Sequence, residues 1–177
     1  WDRSMTRPTS PASLGAPGHL EEHRWLAKQM PTGAIVSTGA ANELFDLIDG
    51  STTDDIVIPP GVWNTTSTLI ANDRAIRAAH HTSTINYVGS GVAIQIGTTG
   101  CHHRLPNITH TKAWDSGGSP DRSSIGCRIL NANDNIIFLA GSSGFYVGLD
   151  VRGDVLGSSY NEIHPGIILD NMVGIRW

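Results

Sequence analysis

Charge is what this sequence has least of: Asp, Glu, Lys and Arg make up 16% of its 177 residues, against roughly 25% in an ordinary soluble domain. The 12 basic residues are scattered and outnumbered by 16 acidic ones, for a net charge of -4. No stretch could neutralise a run of phosphates, so nucleic acid is excluded as an expected partner. Long apolar runs are also missing. None approaches the ~20 residues of a membrane-spanning helix, and no signal-peptide pattern opens the chain, so no membrane insertion is expected. Cysteine is nearly absent: Cys101 and Cys127 cannot make a disulfide framework. Both flank loop-like stretches and read as reduced thiols, with a single bridge as the alternative.

Small and turn-forming residues are what the chain has in quantity. Gly counts 20 and Pro 9, with many Ser, Thr and Asn, a composition that favours a turn-rich β protein over a helical one. The organising stretch is 54–98. It contains Ile56-Val57-Ile58, Thr68-Leu69-Ile70, Ala75-Ile76-Arg77, Thr84 to Val88 and Val92 to Ile96, separated by Pro59-Pro60-Gly61, Asn72-Asp73 and Gly89-Ser90-Gly91. Each apolar dash is three to five residues long and alternates apolar with polar, as a half-buried strand must. The breaks are too short for helical crossovers, and no Asn-Gly or Asp-Gly turn is present to close hairpins. The remaining solution is a chain that coils, each strand stacking on the one a full turn earlier.

The expected fold is therefore all-β: a right-handed parallel β-helix of about five or six rungs over 54–177, at roughly 20 to 25 residues per turn. Beyond Thr98 the rhythm loosens through a polar loop and returns with Ile125 to Leu130, Ile136 to Leu139, Phe145 to Val151 and Ile163 to Trp177. Gly91, Gly126 and Gly166 punctuate strand starts at irregular spacing, which excludes a repeat of fixed length. Asn131, Asn133, Asn135, Asn161 and Asn171 recur near turns and read as Asx turns, with stacked ladders as the alternative.

Upstream lie two further segments. Residues 1–33 form an N-terminal anchoring arm: a Pro, Ser and Gly-rich start that cannot fold alone, then a short helix over 19–30 with Leu20, His23, Leu26, Ala27 and Met30 on one face. Residues 34–53 are a linker and a second helix, 40–49, placed to cap the first rung, whose edge needs a cover. The strand-like run Val173 to Trp177 at one end and Trp1 at the other read as the limits of a fragment.

The segment Ile56-Val57-Ile58-Pro59-Pro60-Gly61-Val62-Trp63, with Thr84-Ile85-Asn86-Tyr87-Val88-Gly89 and Ala93-Ile94-Gln95-Ile96-Gly97, resembles the opening rungs of the pectate-lyase-like right-handed β-helices common in viral tail proteins and tailspikes. Gly144 to Asp150, Tyr160 to Ile163 and Asn171 to Ile175 look like further rungs, so the resemblance covers about two-thirds of the chain. A second stretch, Leu14-Gly15-Ala16-Pro17-Gly18-His19-Leu20-Glu21-Glu22-His23, is similar to a segment near the start of minor tail proteins in phages of actinobacteria. Together the resemblances imply a virion protein assembled in the host cytoplasm: a homotrimer held to other tail or baseplate proteins through residues 1–33, with a distal β-helix for host attachment. Tail-anchoring candidates are Leu14, Pro17, His19, His23, Trp25 and Leu26. The same scaffold hosts polysaccharide lyases and glycoside hydrolases, so a depolymerase is the alternative.

Motifs with chemical potential are few. His19-Leu20-Glu21-Glu22-His23 fits the H-x-x-E-H spacing that puts two imidazoles one helical turn apart. It sits on an arm with almost no core, so packing or docking is the stronger reading. Cys101-His102-His103 could supply metal ligands with Cys127 or His110, but a single cluster lacks paired spacing. No metal and no cofactor is expected. Carboxylates at Asp73, Asp115, Asp121, Asp134, Asp150, Asp154, Glu162 and Asp170 lie mostly in turns, and no pair has a spacing that specifies a catalytic acid and base. The best sugar-contact candidates are Trp114 and Asp115, a ring able to stack on a pyranose beside a polar group.

Overall fold

The computed structural model describes residues 55–72, 74–110 and 121–177. The expected arm, the linker, the helices at 19–30 and 40–49 and the loop 111–120 lie outside the described residues. What is described is all-β, with no α-helix among the described residues and a single 3-10 turn at His80–Thr82. Twelve strands follow in order: β1 Ile56–Ile58, β2 Gly61–Thr65, β3 Leu69–Ala71, β4 Ile76–Ala78, β5 Ser83–Tyr87, β6 Val92–Ile96, β7 His102–His110, β8 Ile125–Leu130, β9 Ile136–Ser143, β10 Val147–Arg152, β11 Glu162–Leu169 and β12 Val173–Arg176.

These strands form two sheets, and every strand pairing is parallel. The second sheet runs β12-β10-β8-β6-β3. In the first, β1 and β2 pair with β4 and β5, and β7 pairs with both of the latter before β9 and β11 follow. Chain partners are close but unequal in spacing: Ile56 faces Ile76, Leu69 faces Ile94, His102 faces Ile136 and Leu149 faces Ile175. The longest separations bracket residues 111–124, between β7 and β8. Hairpins are absent among the described residues, as the missing two-residue turn chemistry predicts.

Several strand limits differ from the sequence reading. Pro59-Pro60-Gly61 reads as a break, yet β2 begins at Gly61, and its alternating burial carries Trp63 and Thr65 inward. Pro lacks an N–H, so the two prolines divide β1 from β2 while the buried Trp63 indole closes the corner by donating to the Pro59 carbonyl at 3.0 Å. The run from Ile163 to Trp177 is two strands, separated at Asp170, whose φ of 54° turns the chain. Gly126 is the second residue of β8, near a strand start as read, whereas Gly166 lies in the middle of β11, in the other sheet.

One apolar cluster draws on both sheets. Register stacks Leu69, Ile94, Cys127 and Leu149 in one column and Trp63, Ile85 and Ile108 in another, all buried. Parallel stacking puts each side chain about 4.8 Å from its equivalent, so like side chains pack on like. An aromatic group fills one corner: Tyr87 and Phe145 rings lie 6.4 Å apart, and the His110 ring meets Phe145 edge-on at 5.2 Å. Gly126 makes room for it, since a Cβ there would meet the Ser142 hydroxyl, the Gly148 carbonyl at 2.7 Å and the Phe145 ring at 3.2 Å. Gly144, with φ of 80°, turns the chain against the His110 carbonyl, where no Cβ fits.

Candidate functional site

None of the tail-anchoring or sugar-contact candidates lies among the described residues, whereas the Cys101, His102, His103, His110 and Cys127 group and most of the carboxylates do. Leu14, Pro17, His19, His23, Trp25 and Leu26 fall in residues 1–33, and Trp114 and Asp115 in residues 111–120, all outside the described residues. What the structure brings together instead are three groups of polar residues on or between the strands.

The first is internal. His103 in β7 is fully buried. Its Nδ1 accepts the Ile76 amide N–H at 3.2 Å, so the ring's proton sits on Nε2, which lies 2.8 Å from the Thr98 hydroxyl. Thr98 donates onward to Asn135 Oδ1 at 3.1 Å, and Asn135 Nδ2 donates to the Thr98 carbonyl and to Asn161 Oδ1. Burial holds the imidazole neutral, pushing its pKa down to about 4, with the charges of Arg77 and His102 adding to the shift and that of Asp55 opposing it. Both ring nitrogens are engaged in structure, and His102 points to the other side of the strand, exposed. The Cys101-His102-His103 run is thus split by strand alternation, and no group of metal ligands occurs among the described residues. Both cysteines are free thiols, and burial pushes Cys127 up to about 12.

The asparagines extend this pattern. Asn135 bonds Asn161 one layer on, and on the outer face Asn86 Nδ2 donates to Asn64 Oδ1 at 2.8 Å. Stacking, the alternative in the sequence reading, therefore occurs between Asn135 and Asn161, and Asn64 with Asn86 adds a pair that the reading did not name. Asn131 instead serves a turn: with φ of 52°, its Oδ1 accepts the Asp154 amide N–H at 2.9 Å.

The second group lies on the outer face of the first sheet. Phe138 and His164 stack almost parallel, 4.4 Å between ring centroids, and Glu162 pairs with His164 Nε2 at 2.6 Å. Arg77 and Arg104 stand in the same column, and Arg77 is paired with Asp55 at 2.9 Å.

The third is on the second sheet. Register aligns Gln95, Arg128, Asp150 and Arg176 on four successive strands. The Asp150 side chain is fully buried, clamped by Arg128 Nε on Oδ2 at 3.0 Å and by Arg176 Nε on Oδ1 at 2.7 Å. Burial alone would raise its pKa, but the hydrogen bonds and charges of Arg176 and Arg128 outweigh burial and hold it below the usual carboxylate range. A shallow hollow of about 340 Å³ opens beside it, lined by Asp150, Arg152, Arg176 and Trp177. Arg152 is half-exposed and reaches Asp154 at 3.3 Å. Sequence reading missed this group because its members are 22 and 26 residues apart. The available signal was strand alternation, which puts Arg128 and Asp150 opposite the core-facing Cys127 and Leu149.

No protein-family model, curated protein or solved structure matches the chain. The fold and these groups define an all-β protein built of two parallel sheets, with charged and aromatic residues displayed on the outer faces.

Proposed function

We propose that the chain is a structural tail protein of a bacteriophage, in which residues 54–177 wind as a right-handed parallel β-helix. The observation that supports the reading is the register: strands pair only in parallel, and the chain passes from the first sheet to the second at β2 to β3, β5 to β6, β7 to β8, β9 to β10 and β11 to β12, around one apolar cluster. Connections that alternate between two parallel sheets are what successive turns of one coil produce, and right-handedness is the rule for parallel crossovers. On this reading five turns stack in the described residues, residues 1–33 anchor the protein to tail or baseplate partners, and three copies assemble side by side. The assembly is carried in the virion and presents its outer faces to a host-surface glycan, with Trp114 and Asp115 on the loop between β7 and β8 as contacts. Three weak contacts on one rigid shaft reinforce one another through effective concentration.

Four of the seven carboxylates among the described residues are held in ion pairs, which favours structure over catalysis. Asp150 is neutralised by two arginines, Asp55 is paired with Arg77, Asp154 with Arg152 and Glu162 with His164. A depolymerase needs one carboxyl kept protonated and one free to act as base or nucleophile.

Two measurements test the proposal. Light scattering of the purified protein should give three times the chain mass, and the protein should compete with intact phage for adsorption to host cells. A monomer that releases oligosaccharides from host polysaccharide would replace this reading with the depolymerase.

A further inference from the structure

One joint between layers is closed by a side chain rather than by backbone. Strand β7 pairs with β5 over four residues and with β9 over seven, but with β4 only where Arg104 faces Arg77. β4 in turn pairs with β1 over three residues, so the two form a wing whose hold on β7 is short. At that point the Ile76 amide N–H donates to His103 Nδ1 at 3.2 Å. The imidazole is anchored from behind. Its Nε2–H donates to the Thr98 hydroxyl at 2.8 Å, which donates onward to Asn135 Oδ1. That chain fixes which ring nitrogen is left to accept.

The charges around the joint oppose a proton on the ring. Arg77 and Arg104 stand opposite each other across the β4–β7 pair, and like charges so placed weaken a ladder. Asp55, paired with Arg77 at 2.9 Å, favours a charged ring, whereas Arg77 and His102 disfavour it. The other neighbours are neutral: Ile137, in register on β9, and Thr98 with Asn135 behind it. A proton on Nδ1 sets donor against donor at Ile76. It removes the bond and adds positive charge beside Arg77 in the same step.

We infer that the β4–β7 contact is an acid-operated joint: uptake of a proton by His103 parts the β1–β4 wing from β7 while the rest of the ladder stays paired. The inference is independent of the tail-protein reading and holds equally for a depolymerase. In the closed joint, burial holds the ring's pKa down at about 4. Once parted, the ring meets water and titrates near its ordinary ~6.5. The parted form is therefore favoured as pH falls between those values, and its share relative to the closed form rises about thirtyfold from pH ~7.5 to pH ~5.

The test is amide hydrogen exchange of the full chain by NMR at those two pH values, each rate divided by that of an unstructured amide at the same pH, with and without dilute urea. The Ile76 amide should lose roughly thirtyfold in protection at the lower pH. Its exchange should ignore dilute urea, because a local opening exposes little surface. The Ile125 and Val147 amides, bonded to the Gly91 and Ser124 carbonyls, should stay better protected than Ile76 at both pH values and should respond to urea. In His103→Gln the Ile76 amide should be equally protected at both pH values. Ring-nitrogen shifts of the unaltered protein add a check that needs no variant: at the higher pH His103 should carry its proton on Nε2. Four results would each overturn the inference. They are an Ile76 protection that does not change with pH, one that matches Ile125 and Val147 in size and urea response, one that still falls in His103→Gln, and a proton on Nδ1 at the higher pH.

Discussion

Asn135 Nδ2 donates to Asn161 Oδ1 at 3.0 Å, joining the residues that precede the paired strands β9 and β11 across 26 residues of chain. The same amide is used in full: Nδ2 also reaches the Thr98 carbonyl at 2.9 Å, while Oδ1 accepts from the Thr98 hydroxyl and the Cys101 amide N–H. A buried side chain with every donor and acceptor matched fixes its surroundings in one arrangement.

Replacing Asn135 by Ala should therefore leave the Cys101 N–H, the Thr98 carbonyl and the Thr98 hydroxyl proton without their partner together, while the Thr98 oxygen keeps its contact with His103 Nε2. With each buried orphan costing ~1–3 kcal/mol, the expected loss is about 3 kcal/mol or more. Asn135→Asp should be worse, because it sets acceptor against acceptor at both Thr98 and Asn161. Urea unfolding midpoints check both, and a midpoint for the Asp variant above that of the Ala variant would contradict the assignment.

His103 makes stability depend on pH in one direction. Its folded-state pKa is about 4, below the ~6.5 of an unfolded histidine. Between those values the unfolded chain holds the extra proton and the folded chain does not, so the contribution is present above pH ~6.5 and is lost as pH falls toward 4. The full difference is about 3 kcal/mol. His103→Gln keeps an acceptor and a donor on the side chain without the titration, and should flatten the slope of unfolding free energy between these limits.

The two thiols should separate kinetically. Cys127 is fully buried in the core column of β8, and its pKa pushed up to about 12 leaves almost no thiolate at neutral pH. Cys101 is partly exposed ahead of β7. A thiol reagent should titrate one group rapidly in native protein and the second only in denaturant. Two fast groups would show that the β8 column opens readily.

Gly126 tests the aromatic corner. In Gly126→Ala the new methyl meets the Gly148 carbonyl and the Phe145 ring, and backbone cannot swing aside as a side chain can. Overpacking of this kind costs ~1–3 kcal/mol, read as a lower urea midpoint with the transition slope unchanged. Near-UV circular dichroism should change as the Tyr87 and Phe145 rings shift.

The strand pattern was largely legible because period-two burial writes itself into the residues: Val92–Ile96 and Ile125–Leu130 fall where alternation puts them. Prolines and glycines misled. Reading them as breaks cost β2 and placed Gly166 at a strand start, whereas a parallel ladder tolerates Pro106 and Pro165 inside β7 and β11. The His103 chain and the Asp150 clamp were not legible for a different reason. Apart from Thr98 beside His103, their partners come from other segments 22 to 37 residues away in sequence. Only the register, which sequence spacing does not fix, says which Arg meets which Asp.

That variable spacing has its own consequence. Layers separated by 20 residues at Ile56–Ile76 and by 34 at His102–Ile136 keep the same pairing, so a connection can lengthen without displacing a single ladder partner. Insertions are thereby confined to the flanks, where a lineage can exchange one decoration for another while the interior columns stay as they were. Variation in the connections and preservation of the ladder then fall to different residues, and selection can act on the one without undoing the other.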